Sequence, residues 1–137
     1  LLRLDASGDL DPTWNPAPDR PVLALALSSS ATVYVGGEFG SIGGQARVGL
    51  TRIPTSGSGA ADATWNPGVN GTVRAIHFDS STAHLYIGGS FSQAGGEARA
   101  NLAKLMTIGS ATAFTDWNPA VTGVVNVLAR SGTTLYV

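Results

Sequence analysis

Trp14-Asn15-Pro16, Trp65-Asn66-Pro67 and Trp117-Asn118-Pro119 are three copies of one triplet, 51 and 52 residues apart in a chain of 137. A fixed period of about fifty residues marks solenoids and propellers. In such arrays each unit buries its apolar faces against its neighbours rather than within itself. The chain therefore reads as one unit repeated.

Working outward from the triplet, a second motif keeps the same beat. Tyr34-Val35-Gly36-Gly37-Glu38-Phe39 returns as Tyr86-Ile87-Gly88-Gly89-Ser90-Phe91, and Gly43-Gly44-Gln45-Ala46-Arg47 returns as Gly95-Gly96-Glu97-Ala98-Arg99. Tyr136-Val137 begins a third copy. Residues 1–16 are thus expected to finish one unit, 17–67 and 68–119 to form two whole ones, and 120–137 to start another, as in a segment of a longer array.

Each unit divides into four short apolar stretches separated by Gly, Ser, Asp, Asn and Pro, the pattern of β-strands joined by turns. The expected strands lie near 22–27, 32–39, 48–53 and 63–65, then 73–78, 84–91, 101–106 and 113–117. Partial sets fall at 2–5 and 12–14 and at 125–130 and 134–137, and no helical period is present. The first strand is apolar on both alternating faces, Val22, Ala24 and Ala26 on one and Leu23, Leu25 and Leu27 on the other. Such a strand needs cover on both sides, and Trp14, Trp65 and Trp117 are the large residues available to fill the gaps between stacked sheets.

Connection lengths fall into two kinds. The intervals from Trp to the next strand (14 to 22, 65 to 73, 117 to 125) and from Tyr to the following Arg (34 to 47, 86 to 99) are constant. The turn after the first strand and the turn before each Trp vary in length. In a four-stranded antiparallel meander, one sheet end is then free to vary and the other is fixed.

Composition narrows the function. The chain is 43% hydrophobic and 12% charged with a formal net charge of −1, and its 8 Lys and Arg are scattered. Clustered cations expected of a nucleic-acid binder are missing, so neither nucleic acid nor an anionic membrane surface is an expected partner. The longest apolar runs, such as 22–27, are far shorter than the roughly 20 residues of a membrane-spanning helix. With no Cys, disulfides and thiol chemistry are absent.

The repeated residues carry a family resemblance. A hydrophobic-Tyr-hydrophobic-Gly-Gly strand end followed by Trp 28 residues after the second Gly (37 to 65, 89 to 117) resembles the kelch repeat. The fuller pattern is closer to the delta-60 type of bacterial β-propeller repeat: Gly36-Gly37-Glu38-Phe39, Gly43-Gly44-Gln45-Ala46-Arg47, Leu50-Thr51-Arg52-Ile53 and Thr64-Trp65-Asn66-Pro67. It departs where 60–63 and 111–114 replace the neater Ser7-Gly8-Asp9-Leu10-Asp11 turn. The resemblance implies an all-β propeller of radially packed, four-stranded antiparallel blades in a secreted or surface-attached bacterial protein, without catalytic residues of its own. Closed propellers have about four or more blades. This chain supplies about 2.5–3, so it is expected to be an arc whose partners are further blades, from the same protein or from other subunits.

Each recurring motif has a packing role beside any chemistry it could carry. Gly36-Gly37 and Gly88-Gly89 lack the helix N-terminus and Lys of a phosphate cradle, and glycines at a strand end mark a bulge or a close backbone approach. The three Trp suit a sugar platform or inter-sheet packing, and one indole per unit at fixed register favours packing. Arg47 and Arg99 recur in the fixed connection, where a guanidinium can satisfy carbonyls or pair with a carboxylate; they are also the candidates for gripping an acidic sugar. His77 and His84 recur in no other unit and lack the three or four ligands of a zinc site. Asp5, Asp9 and Asp11 lack the full ligand set of a calcium loop and read as an Asp/Gly turn. Asn70-Gly71-Thr72 fits a glycosylation acceptor. No catalytic set, metal site or cofactor site is expected. The expectation is a non-enzymatic extracellular or cell-surface module with a structural or protein-interaction role in a larger surface protein or fibre, with surface glycans or proteins as further candidate partners and with a lectin-like carbohydrate binder, or the scaffold of an enzyme whose active residues lie outside this segment, as alternatives.

Overall fold

The computed structural model describes residues 1–28 and 31–137; Ser29 and Ser30, part of the variable turn after the first strand, lie outside the described residues. Twelve strands are defined and no helix occurs among the described residues. The first whole unit contains β1 (Val22–Leu27), β2 (Thr32–Gly37) and β5 (Leu50–Pro54), paired antiparallel in the order β1-β2-β5. Its counterpart contains β6 (Thr72–Asp79), β7 (His84–Ser90) and β10 (Leu102–Met106). A final hairpin joins β11 (Ala129–Ser131) to β12 (Thr134–Tyr136). The chain is an arc of a β-propeller, one three-stranded sheet to a blade.

The sequence-based strands need two corrections. The expected strands 32–39 and 48–53 stop short of each other, because the intervening chain folds into a small hairpin, β3 (Ser41–Ile42) with β4 (Gln45–Ala46). The second blade repeats it as β8 (Gln93–Ala94) with β9 (Glu97–Ala98). Two adjacent glycines with positive φ make each tip, Gly43-Gly44 and Gly95-Gly96. The fourth stretch of each unit, in turn, does not run as a regular ladder strand. It touches the third strand only through bonds such as Asp62 N–H to Arg52 O (3.0 Å) and Phe114 N–H to Lys104 O (3.0 Å), and through the bridges Leu4 to Leu10 and Leu105 to Ala113. In the first whole blade Asp62 Oδ1 accepts from Thr64 N and Trp65 N, which turns the chain locally just after that contact.

The core lies between blades. Trp65, Tyr34 and Leu50 form one buried cluster with Val73, Leu85, Ile87 and Phe91 of the following blade. Trp14 does the same one blade earlier, with Val33, Val35, Phe39 and Ile53. Trp65 and Trp117 also meet the Tyr of their own unit, at ring-centroid distances of 5.4 Å for both Tyr34–Trp65 and Tyr86–Trp117.

The paired glycines have two separate jobs. A Cβ on Gly36 would lie 2.8 Å from Val73 Cγ1, and one on Gly88 only 2.3 Å from Val125 Cγ1, so the first glycine lets the next blade approach. A Cβ on Gly37 would lie 2.3 Å from Pro21 O, and one on Gly89 2.0 Å from Thr72 O, inside the same blade. That second contact coincides with a shift in register at Val22/Ala24 and Val73/Ala75, where a bulge brings backbone close to backbone.

The first strand departs from its expected burial. Leu23, Leu25 and Leu27 are exposed, whereas Ile76 and Phe78, at the positions of Leu25 and Leu27 in the second blade, pack against the core. The difference has a simple cause. Ile76 and Phe78 face a complete neighbouring sheet, while the leucines face residues 1–16 alone.

Candidate functional site

Arg47 and Arg99 leave the small hairpins of the two blades and are buried, 6% and 4% exposed. Arg47 donates from Nη1 to Ala46 O and from Nη2 to Asp62 O and Ala63 O, each at 2.9 Å. Arg99 donates to Ala98 O (2.7 Å) and Phe114 O (2.8 Å). Apart from the carbonyl of the residue just before each Arg, the partners are carbonyls of the turn leading to Trp, and among the described residues neither guanidinium forms an ion pair with Glu97 or another carboxylate. Each guanidinium is committed to fixing that turn, with its Nε buried and unpartnered.

A second cationic device was not read from the sequence. Asp62 Oδ1 accepts from Thr64 N (2.8 Å), Thr64 Oγ1 (2.7 Å) and Trp65 N (3.2 Å), which sets the indole, while its other oxygen accepts from Arg52 Nε at 2.8 Å. Arg52 lies over the Trp65 ring (5.6 Å to its centroid) and reaches into the next blade, donating from Nη1 to Thr107 O at 2.6 Å. Arg3, Asp11, Thr13, Trp14 and Thr55 repeat the arrangement one blade earlier. Burial works against it, but the Thr64 hydrogen bonds and Arg52 hold the Asp62 carboxyl well below its usual range. The signal was present: Asp11-Pro12-Thr13-Trp14 and Asp62-Ala63-Thr64-Trp65 share Asp-x-Thr-Trp, with an Arg on the preceding strand.

The third copy departs from this clamp. Phe114 stands where Asp62 stands, and Lys104 replaces Arg52; the Lys104 ammonium lies 4.3 Å from the Phe114 centroid and 5.9 Å from that of Tyr86. His84 meets the Phe114 edge at 4.5 Å. Burial, together with the nearby Lys104, lowers the His84 pKa. Next to them lies a cleft of about 270 Å³ lined by Thr82, His84, Met106, Thr107, Ile108 and Phe114. His77 sits elsewhere, beside Tyr86 at 6.3 Å, so the two histidines do not converge.

The remaining sequence candidates resolve as local structure. Asp5 Oδ1 accepts from Ser7 N (2.8 Å) and Asp9 N (2.9 Å), closing its turn internally. Asn70 Oδ1 accepts from Ser92 N and Gln93 N at 2.9 and 3.0 Å, as the Asp19 carboxylate does from Gly40 N and Ser41 N. Among the described residues no group of three His, Cys, Asp or Glu is placed to hold a metal ion. Asp79, buried at the end of β6, accepts from Ser81 and Thr82 and pairs with Arg130 of the next blade at 2.8 Å.

Another cleft, of about 350 Å³, is lined by Leu1, Leu2, Arg3, Trp14, Leu25, Leu27, Val33 and Thr55.

A family model described as "Domain of unknown function (DUF5122) beta-propeller" matches residues 84–111. That stretch runs from β7 through the β8–β9 hairpin to the turn after β10. No curated protein and no solved structure matches the chain.

Proposed function

We propose that this chain is a non-enzymatic, extracellular repeat module of the delta-60, kelch-like type, with a structural or protein-interaction role in a larger bacterial surface protein or fibre. One observation supports the reading: the side chains that recur from blade to blade at Trp65, Tyr34, Arg47, Arg99, Arg52 and Asp62 are engaged in packing blades together or in fixing turns within a blade. Trp65 and Tyr34 fill the gap between blades, Arg47 and Arg99 tie down turns, and Arg52 with Asp62 clamps the Trp and bridges to Thr107. What is left exposed and apolar, such as Leu25, Leu27 and Tyr136, belongs to the end faces, and contiguous exposed apolar surface is where proteins meet partners. The partners are further blades.

The lectin reading rests on the cleft beside His84 and Phe114, because aromatic side chains beside turns are what a pyranose face stacks on. Neither residue has a counterpart of its type in the first blade, where Thr32 and Asp62 occupy those positions. A glycan array together with retention on polysaccharide columns separates the two. The interaction-module reading expects no hits; sugar-dependent retention that Phe114→Ala abolishes would replace it with the lectin.

A further inference from the structure

The Asn70-Gly71 step leads from the first whole blade into β6 of the second, and the fold engages the Asn70 amide at both of its polar atoms. Its Oδ1 accepts from Ser92 N at 2.9 Å and Gln93 N at 3.0 Å, while its Nδ2 donates to Ser92 Oγ at 2.9 Å. The neighbouring Gly71 N–H, by contrast, makes no hydrogen bond among the described residues, and Gly71 has no side chain to shield it. An unengaged amide nitrogen thus follows directly on a side-chain carbonyl polarised by two N–H donors.

The first blade shows what this position accepts. Asp19 stands where Asn70 stands, and its Oδ1 accepts from Gly40 N at 2.9 Å and Ser41 N at 3.0 Å, the counterparts of Ser92 and Gln93. The main chain repeats too, with Asp19 N–H to Ser41 O at 3.1 Å and Asn70 N–H to Gln93 O at 3.3 Å. Backbone N–H donors favour a charged carboxylate, and those of Ser41 and Gly40 hold the Asp19 carboxyl below its usual range. The same cradle takes a carboxylate in one blade and an amide in the other. Elsewhere the sequence offers no such step: Asn15, Asn66 and Asn118 precede Pro, which has no N–H, and Asn101 and Asn126 precede the bulkier Leu102 and Val127.

We propose that Asn70 is a self-modifying site, at which the folded chain converts its own side-chain amide to a carboxylate. Solvent hydroxide takes the Gly71 amide proton, and the Gly71 nitrogen bonds to Asn70 Cγ. The negative charge of the tetrahedral carbon falls on Oδ1, which already accepts from the Ser92 and Gln93 N–H groups. Preorganised donors aimed at a developing oxyanion lower the barrier, and attack within one chain avoids the cost of bringing two reactants together. The Cγ–Nδ2 bond then breaks, and Nδ2 leaves as ammonia with a proton from the Ser92 hydroxyl, which regains one from water. A second water opens the five-membered imide. Opening at Cγ leaves an aspartate that the cradle holds as it holds Asp19. Opening at the main-chain carbonyl instead inserts a methylene ahead of Gly71, where even a Cβ on Gly71 would lie 2.2 Å from Ser90 O. The sum is one water consumed and one ammonia released, with no change of oxidation state.

Incubation of the 137-residue chain at mildly alkaline pH, followed by ammonia release and by peptide mapping with mass spectrometry, tests this. The folded chain should convert Asn70 to the acid about tenfold faster than the same chain unfolded in urea, a modest share of what a preorganised donor contributes in an active site. Ser92→Ala, at an exposed position, keeps both N–H donors and loses the hydroxyl proton. It should slow the folded chain by about tenfold and leave the unfolded chain unchanged. Asn70→Asp should melt with the wild type at neutral pH, because Asp19 already fills the equivalent cradle. A folded chain that reacts no faster than the unfolded one overturns the proposal, as does a Ser92→Ala chain, folded by circular dichroism, that reacts at the wild-type rate. A lower melting temperature for Asn70→Asp would overturn the claim that the fold accepts the product. None of these outcomes bears on the interaction-module reading, which stands or falls separately.

Discussion

At the residue scale, the argument turns on how each indole is held. Trp65 is fully buried in a cluster that also holds Tyr34 of its own blade and Leu85 and Ile87 of the next. Trp117, whose following blade is only a hairpin, is half-buried. Replacing Trp65 with Ala should therefore cost roughly 3–5 kcal/mol, read by urea unfolding, and the same change at Trp117 should cost clearly less. Equal losses would mean that the indoles do not act through the neighbouring blade. Arg47 gives a second test. Its guanidinium serves three carbonyls in a fixed fan, and a lysine ammonium cannot reproduce that geometry. Arg47→Lys should lower stability by about 1–3 kcal/mol in the same unfolding assay; an unchanged midpoint would show that the carbonyls find other donors. The Trp, Tyr and Gly roles were legible because those residues recur at fixed spacing. The Arg52–Asp62 clamp was harder to see: its acid and its cation lie ten residues apart on different stretches, and Phe114 breaks the pattern in the last copy.

At the element scale, the first strand of each blade is the interlock. It meets the glycine of the blade before it, so Gly36→Ala, at ordinary φ, should strain the contact with Val73 and cost about 1–3 kcal/mol as overpacking does. Thermal melts would check this, and a neutral result would place the blades further apart than described. On the variable side, Asp79 and Arg130 tie the second blade to the last hairpin. The Ser81 and Thr82 hydroxyls, helped by Arg130, hold the Asp79 carboxyl well below its usual range. Since the folded value is depressed, this contribution is present above the unfolded carboxylate value of about 3.9 and is lost as pH falls below it. Melting temperatures followed from neutral pH to acid should fall more steeply for the wild type than for Asp79→Asn, which starts lower. Parallel curves would remove Asp79 from the account. Strand number and order were largely readable from apolar stretches and turns. The small β3–β4 and β8–β9 hairpins were not, because two-residue strands built from Ser, Gln, Glu and Ala carry no hydrophobic alternation.

At the scale of the whole molecule, most of the buried hydrophobic residues fall into two clusters, each holding a Trp that joins one unit to the next. Such near-neighbour construction makes stability a sum of unit and interface terms. Period and motif made the arc legible in advance. Which faces were left bare was not, since Leu25 and Ile76 read alike as apolar strand residues and differ only in what lies opposite. The most direct measurement of the central claim is a set of nuclear Overhauser contacts from the Trp65 indole in the isotopically labelled chain. The account predicts contacts to the Tyr34 ring on one blade and to the Leu85 and Ile87 methyl groups on the next, whereas an indole with contacts to only one blade, or with the chemical shifts of a solvent-exposed ring, would contradict it.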